Sequence, residues 1–125
     1  MLASDPSNKY AYYNLGLIAQ TQQHSAEAET NYRRALSIYP NFVPALFNLA
    51  ILRTNAKADA EAVELYQRII AIDDRQAGAH LNLGFVLRGM GQADAGNVQI
   101  ARALELDPSL ARRDAPVTGG SSTNG

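Results

Sequence analysis

The sequence predicts an all-α protein built from stacked copies of one helical unit. A six-residue phrase, AYYNLG at residues 11–16, returns as ALFNLA at 45–50 and as AHLNLG at 79–84, so the interval is 34 residues both times. A fixed period of this size indicates one supersecondary unit stacked on copies of itself. Apolar residues at helical spacing, such as Tyr12, Leu15 and Ile18, indicate that the phrase lies on a helix.

Later positions of the unit keep their chemical character, which fixes the register. With Lys9 as position 1, positions 8, 20 and 27 are mostly small, position 24 is large and position 32 is mostly proline. The residues are Ala28, Ala62 and Gly96 at 20; Tyr32, Tyr66 and Ile100 at 24; Ala35, Ile69 and Ala103 at 27; and Pro40, Asp74 and Pro108 at 32.

This constellation resembles the tetratricopeptide repeat over residues 9–110. The resemblance implies an α-solenoid of three antiparallel helix-turn-helix repeats, in a family that binds peptides or other proteins. The repeats would span 9–42, 43–76 and 77–110. Residues 1–8 would be the remnant of a preceding repeat or a stub cap, and 111–125 a disordered tail.

Each repeat should supply two helices, A and B. We expect A helices over about 9–22, 43–55 and 77–90, and B helices over about 26–38, 60–72 and 94–106. Ser7 or Asn8, Ser25 and Asp59 are the predicted N-caps, since their side chains can accept orphan backbone N–H groups. Pro40 should end the first B helix because it has no N–H to donate.

Composition excludes several classes of function. Eleven basic and twelve acidic residues give a net charge of −1, which provides no basic face for nucleic acid. The sequence contains no cysteine and only two histidines, His24 and His80, so neither a catalytic constellation nor a metal or cofactor site is expected. No apolar run approaches a membrane span, and the first residues do not form a secretory signal, so the default compartment is the cytoplasm.

Asparagine at position 6 of all three A helices, Asn14, Asn48 and Asn82, is the informative feature. Asparagine is only a middling helix former, and its amide can both donate to and accept from a peptide backbone. The pattern is similar to the asparagine ladder of the O-GlcNAc transferase repeats, which implies an extended ligand along the concave groove. We therefore expect position 6 to face the groove and not the seam between helices, with solvated asparagines as the alternative.

Apolar neighbours would have to supply most of the affinity. Each amide bond contributes about 0.5–1.5 kcal/mol, whereas ordering one peptide residue costs about 1–2 kcal/mol. Positions 5 and 9 carry the candidate anchors Tyr13, Phe47, Leu81, Leu17, Ile51 and Phe85. The chaperone carboxylate clamp of this family is not expected, because Tyr13, Gly78 and Asn82 stand where it needs basic residues and only Asn48 matches.

The predicted function is thus a non-enzymatic scaffold or adaptor that binds a peptide segment of a protein partner. One alternative is an assembly module that forms a homo-oligomer by stacking its repeat ends, through Tyr12 and Ile18 on one side and Val98, Ala101 and Leu104 on the other. The first two would be left bare because residues 1–8 should form only a stub over the first A helix, and the other three because residues 107–125 should place no helix over the last B helix. A further alternative is the targeting domain of a larger enzyme, such as a glycosyltransferase.

Overall fold

The computed structural model describes residues 8–112, and within them the chain forms α-helices, one short 3-10 helix and no strand. The helices are α1 Lys9–Thr21, α2 Ser25–Ile38, α3 Val43–Asn55, α4 Asp59–Ile72, α5 Ala77–Gly89 and α6 Ala93–Leu106, followed by the 3-10 helix Pro108–Arg112. Each odd-numbered helix packs on the helix that follows it, and α2 and α4 also pack on the next odd-numbered helix. This is the predicted α-solenoid.

Helix boundaries agree with the expected ones to within one residue, but only one predicted N-cap is confirmed. Asn8 Oδ1 accepts hydrogen bonds from the backbone N–H groups of Tyr10 and Ala11, at 3.0 and 3.1 Å. Ser25 and Asp59 are instead the first residues of α2 and α4. A carboxylate in a first turn is still favourable, because it lies near the positive end of the helix dipole.

The core lies between the helices of each pair and continues from one pair to the next. Its largest fully buried side chains include Tyr32 and Tyr66 on the even-numbered helices and Leu46 and Leu49 on α3. Tyr32 is 0% exposed and lies directly over Gly16, where α1 and α2 approach each other. The small residue that the sequence places at this position therefore makes room for an aromatic ring.

The C-terminal side of α6 differs from the expectation. Residues 108–112 form the 3-10 helix, and Leu110 is buried at 8% exposure against Leu81 and Ala103. The expectation that no helix follows over α6 is wrong, because Leu110 has enough apolar surface to bury there. Val98 and Ala101 are exposed as expected, whereas Leu104 is half-buried. Most of the predicted disordered tail, and of the predicted stub at 1–8, lies outside the described residues.

Gly16→Ala should destabilise the protein, because a Cβ on Gly16 would lie 2.5–3.0 Å from three ring carbons of the buried Tyr32. We expect a loss of about 1–3 kcal/mol in the free energy of unfolding, as for other overpacked contacts. Urea unfolding followed by far-ultraviolet circular dichroism measures it. Gly89→Ala is the matched control, since a Cβ there would meet nothing within 4 Å. Equal stability of the two variants would contradict the packing described here.

Candidate functional site

The candidate site lies on the odd-numbered helices, at positions 5, 6 and 9 of each repeat; we call this surface the odd-helix face. Four of the apolar residues predicted at positions 5 and 9 are half-buried and keep exposed surface: Tyr13, Leu17, Phe47 and Phe85. Ile51 and Leu81 are only 9% and 2% exposed, so they belong to the core beneath this surface. The face is therefore apolar and largely aromatic.

The three asparagines at position 6 occupy different environments. Asn14 is exposed, whereas Asn48 and Asn82 are each 1% exposed. The expectation that this position lies outside the seam between helices is therefore wrong for Asn48 and Asn82, whereas Asn14 is exposed. Asn48 and Asn82 have become part of the contact between successive repeats.

That contact is a hydrogen bond from each buried asparagine to a tyrosine of the preceding repeat. Asn48 Nδ2 donates to the Tyr32 hydroxyl at 3.3 Å and lies 3.4 Å from the Tyr13 hydroxyl. The Tyr32 hydroxyl in turn donates to Gln20 Oε1 on α1. One tyrosine hydroxyl thus connects α1 and α2 to α3.

The same contact recurs one repeat later, where Asn82 Nδ2 donates to the Tyr66 hydroxyl at 3.2 Å. Both pairs are 16 residues apart in sequence. Asn14 is exposed and makes no such contact among the described residues, and position 24 of the third repeat is Ile100. The sequence contains a signal for this contact, namely tyrosine at position 24 of one repeat and asparagine at position 6 of the next. The prediction made above rests on the asparagines alone.

One atom of this network has no partner among the described residues. Asn48 Oδ1 is buried and accepts no hydrogen bond, whereas the amide nitrogen of the same side chain contacts two tyrosines. Buried polar atoms are seldom unsatisfied in folded proteins. Asn48 Oδ1 is therefore an unsatisfied hydrogen-bond acceptor beneath the odd-helix face.

Burial determines the acidity of these tyrosines. It raises the pKa of Tyr32 to about 12, although the hydrogen bond from Asn48 acts in the opposite direction. Burial likewise raises the pKa of Tyr66 and of Tyr13, again opposed by hydrogen bonds from Asn82 and Asn48 respectively. The hydroxyls therefore remain protonated donors throughout the neutral pH range.

A cluster of four alternating charges also joins the first two repeats. Arg53 on α3 contacts Glu29 at 2.9 Å and Glu61 at 3.0 Å, and Arg33 contacts the same two carboxylates at 2.8 Å each. Burial alone would raise the pKa of Glu29, but hydrogen bonds and charges from Arg33 and Arg53 outweigh it and lower that pKa. Because the cluster is partly exposed, each pair contributes only about 0–1 kcal/mol. Together the four side chains connect α2, α3 and α4.

An apolar cleft opens where α5, α6 and the 3-10 helix meet; we call it the C-terminal cleft. Its volume is 460 Å³, and it is lined by Leu81, Phe85, Arg88, Ile100, Leu104, Leu110 and Ala111. It brings two predicted anchor residues, Leu81 and Phe85, together with Ile100, which was not predicted to belong to a site, and Leu104, which was predicted to belong to the stacking end. Leu110 could have been identified, since it shares position 34 with the buried Phe42.

Neither a metal centre nor a membrane span is found among residues 8–112. No group of three or more metal-ligating side chains gathers there, and none of the helices in that range is long and apolar enough to cross a bilayer. His80 is buried at 5% exposure: its Nε2 lies 2.8 Å from the Asp74 carbonyl oxygen and its Nδ1 2.7 Å from Gln99 Oε1.

Comparison with known families finds two matches along the chain. Models described as tetratricopeptide repeat match residues 10–42 and residues 44–73. Together these segments make up half of the chain and cover α1 to α4 except the first residues of α1 and α3. The third helix pair lies beyond the matched residues and follows the same helical pattern.

Similar curated proteins are of two kinds. The chain is 33% identical over 89 residues to the protein O-mannosyl-transferase Tmtc3 of Drosophila melanogaster, which is 71% of this chain and 9% of that protein. It is 27% identical over 100 residues to the photosystem I assembly protein Ycf3 of Cyanophora paradoxa, which is 76% of this chain and 58% of that protein. The chain thus spans less than two thirds of either relative.

Solved structures show the same fold. A crystal structure of MamA superposes with a TM-score of 0.81 at 22% identity, over 90% of this chain and 66% of the other. MamA 41-end from Desulfovibrio magneticus RS-1 superposes with a TM-score of 0.79 at 20% identity, over 86% and 60% of the two chains. At these identities the likeness is one of fold.

Asn48→Ala should destabilise the protein, whereas Asn14→Ala should not. The first removes a buried amide that donates to Tyr32, and we expect a loss of about 1–3 kcal/mol in the free energy of unfolding. The second truncates an exposed side chain at the same repeat position, so a change within about 0.5 kcal/mol is expected. Urea unfolding of both variants gives the comparison, and similar values would show that position 6 has no structural role in the second repeat.

Tyr32 should also make stability depend on alkaline pH. Its folded-state pKa of about 12 lies above the ordinary value of 10.0, so its contribution is full below pH 10.0 and is lost as the pH rises towards 12. Tyr32→Phe should therefore unfold at higher pH, although it is about 0.5–1.5 kcal/mol less stable at neutral pH. Circular dichroism during an alkaline titration measures the midpoint. Tyr39→Phe, which removes an exposed hydroxyl, should leave it unchanged, and an unchanged midpoint in Tyr32→Phe would refute the effect.

Proposed function

The chain belongs to the tetratricopeptide repeat family, and we propose that it is a protein-interaction scaffold that binds an extended peptide segment of a partner on the odd-helix face. The observation that carries this proposal is the C-terminal cleft, in which Leu81 and Phe85 lie beside Ile100 and Leu104. A cleft of 460 Å³ with an apolar lining has room for a large apolar side chain. Such a site requires no catalytic group.

The apolar surfaces would provide most of the affinity. Burying one apolar side chain contributes about 1.5–3 kcal/mol, so two anchored side chains offset the ordering of only two or three peptide residues at about 1–2 kcal/mol each. Phe85 at the cleft and Phe47 one repeat earlier are both half-buried on the same face. A peptide with apolar side chains at two points, bound weakly, fits this surface.

Asparagine would contribute less than a full ladder of three amides. Asn14 is exposed and is free to meet a peptide backbone. The Asn48 amide nitrogen already donates to tyrosine and its Oδ1 is buried, so this side chain is not accessible to a peptide on the surface. We infer that amide contacts orient the peptide mainly at the first repeat.

The test begins with a peptide library displayed on phage and selected against the whole chain. A selected peptide is then titrated calorimetrically against Phe85→Ala, which should bind about tenfold or more weakly, because about 1.4 kcal/mol corresponds to tenfold. Phe47→Ala repeats the test one repeat away. Val98→Ala, which truncates an exposed apolar residue on α6, is the control and should bind like the wild type. Equal binding by all variants with intact circular dichroism would exclude the odd-helix face.

A second candidate function is stacking of repeats between copies of this chain, favoured by the exposure of α1. Position 7 is 38% exposed in the first repeat but 1% and 2% in the next two, and position 10 is 52%, 8% and 7% exposed. The residues are Leu15, Leu49 and Leu83 at position 7, and Ile18, Leu52 and Val86 at position 10. Helix α1 therefore exposes the surface that α3 and α5 bury against a preceding helix.

Sedimentation velocity over a range of concentrations tests this candidate. If copies stack, the wild type should show larger species as the concentration rises, and Ile18→Glu should abolish them. Ile72→Glu places the same charge at a residue of similar exposure, 41%, on α4 and should leave association unchanged. A wild type that stays monomeric at millimolar concentration would rule out stacking.

The glycosyltransferase alternative is supported by the similarity to protein O-mannosyl-transferases. The matched stretch of the O-mannosyl-transferase Tmtc3 is 9% of that protein. We infer that a chain of this kind serves such an enzyme by binding a protein, and not by catalysing the transfer.

A further inference from the structure

Three aromatic rings surround one ammonium group near the beginning of α1. Lys9 Nζ lies 4.7 Å from the centroid of Tyr10, 4.4 Å from that of Tyr39 and 5.6 Å from that of Phe42. All three distances are shorter than about 6 Å, the distance within which a cation is attracted to an aromatic face. A single cation–aromatic contact is common, but three on one nitrogen indicate a cage.

The rings form walls that are set at an angle to one another. Tyr10 and Phe42 are 5.3 Å apart between centroids with an interplanar angle of 85°, and Tyr39 and Phe42 are 6.2 Å apart at 46°. Phe42 is buried at 7% exposure and forms the base, whereas Tyr10 and Tyr39 are 59% and 47% exposed and form the rim. The cage is therefore fixed from below and open to solvent.

Phe42 is held by more than the cage. It also packs against Tyr13, with centroids 5.5 Å apart at 76°, and it lies at the N-cap position of α3. The base of the cage is thus fixed by α1 and α3 together. The base of the cage adjoins the odd-helix face through Tyr13.

The geometry points to a binding site for a methylated or quaternary ammonium group, formed by Tyr10, Tyr39 and Phe42 and occupied by Lys9 in the free chain. Carbon atoms in contact lie about 3.5–4.0 Å apart, so a nitrogen 4.4–5.6 Å from the ring centroids leaves room for methyl groups against the rings. Aromatic cages bind quaternary ammonium ions well. Methylation spreads the charge over carbon and weakens hydration, which suits an aromatic lining better than the ammonium of an unmodified lysine.

Lys9 would act as an internal competitor. A ligand can enter only while the Lys9 side chain has left the cage, so the apparent dissociation constant is raised in proportion to the time for which Lys9 occupies it. This site is separate from the C-terminal cleft, and it stands or falls independently of peptide binding on the odd-helix face.

The experiment titrates tetramethylammonium into the wild-type chain of 125 residues and into Lys9→Ala, and follows the ring signals of Tyr10, Tyr39 and Phe42 by NMR. If Lys9 fills the cage for about nine tenths of the time, Lys9→Ala should bind about tenfold more tightly. Neopentyl alcohol, a neutral molecule of similar shape, should bind about tenfold or more weakly than the cation. Lys9→Ala combined with Tyr39→Leu should lose the binding, and circular dichroism checks that these variants are folded.

A second arm distinguishes the two sources of such a group. If blocked trimethyllysine binds Lys9→Ala several-fold more tightly than tetramethylammonium does, the site takes a modified lysine side chain of a protein. If the two bind equally, the site takes a free quaternary ammonium compound. Absence of ring shifts with either cation, or equal binding of cation and alcohol, would overturn the site, and equal affinity of wild type and Lys9→Ala would overturn the role of Lys9 as its occupant.

Discussion

Tyr32 is the residue on which the junction of the first two repeats depends. Its ring fills the space over Gly16, and its hydroxyl is bound to Gln20 on α1 and Asn48 on α3. A fully buried hydroxyl without partners would cost about 1–3 kcal/mol, so the tyrosine is stable there only when the polar residues of both repeats are in place. In a solenoid each unit contacts only its neighbours, and a contact that requires both of them makes the two repeats fold together.

Features of this structure that depend on residues close together in the sequence are predicted well, whereas features that depend on the folded surroundings are not. The 34-residue period and the apolar spacing predict the six helices, since helix formation depends on residues three or four apart. The N-caps of α2 and α4 differ by one residue from the predicted Ser25 and Asp59, because helix ends are set by local backbone geometry as well as by side-chain type. The 3-10 helix that contains Leu110 was not predicted, because so short a turn has no periodicity that a sequence pattern could reveal.

The position-6 asparagines show why the site was harder to predict than the fold. Their immediate neighbours in sequence are nearly the same, yet Asn14 is exposed and Asn48 is buried. The difference lies in a contact with another repeat: Asn48 donates to Tyr32 of the first repeat, and the exposed Asn14 lies in no such contact among the described residues. A residue that recurs with the period can therefore serve the stacking of repeats at one place and face solvent at another. Recurrence alone does not identify a ligand contact.

The hydrogen bond between asparagine and tyrosine also bears on which helix could pack against α6. Phe42 and Leu110 share position 34, and Phe42 packs against α1 without preventing α3 from packing on α2. By analogy, the burial of Leu110 against Leu81 leaves α6 able to receive another odd-numbered helix. Such a helix would pack against Ile100, which stands at the repeat position where Tyr32 and Tyr66 provide a hydroxyl. An asparagine at position 6 of that helix would therefore have no tyrosine hydroxyl to donate to. If α1 of a second copy were that helix, Asn14 would be buried without the tyrosine that Asn48 has, and the junction between copies should be weaker than the junctions within one chain.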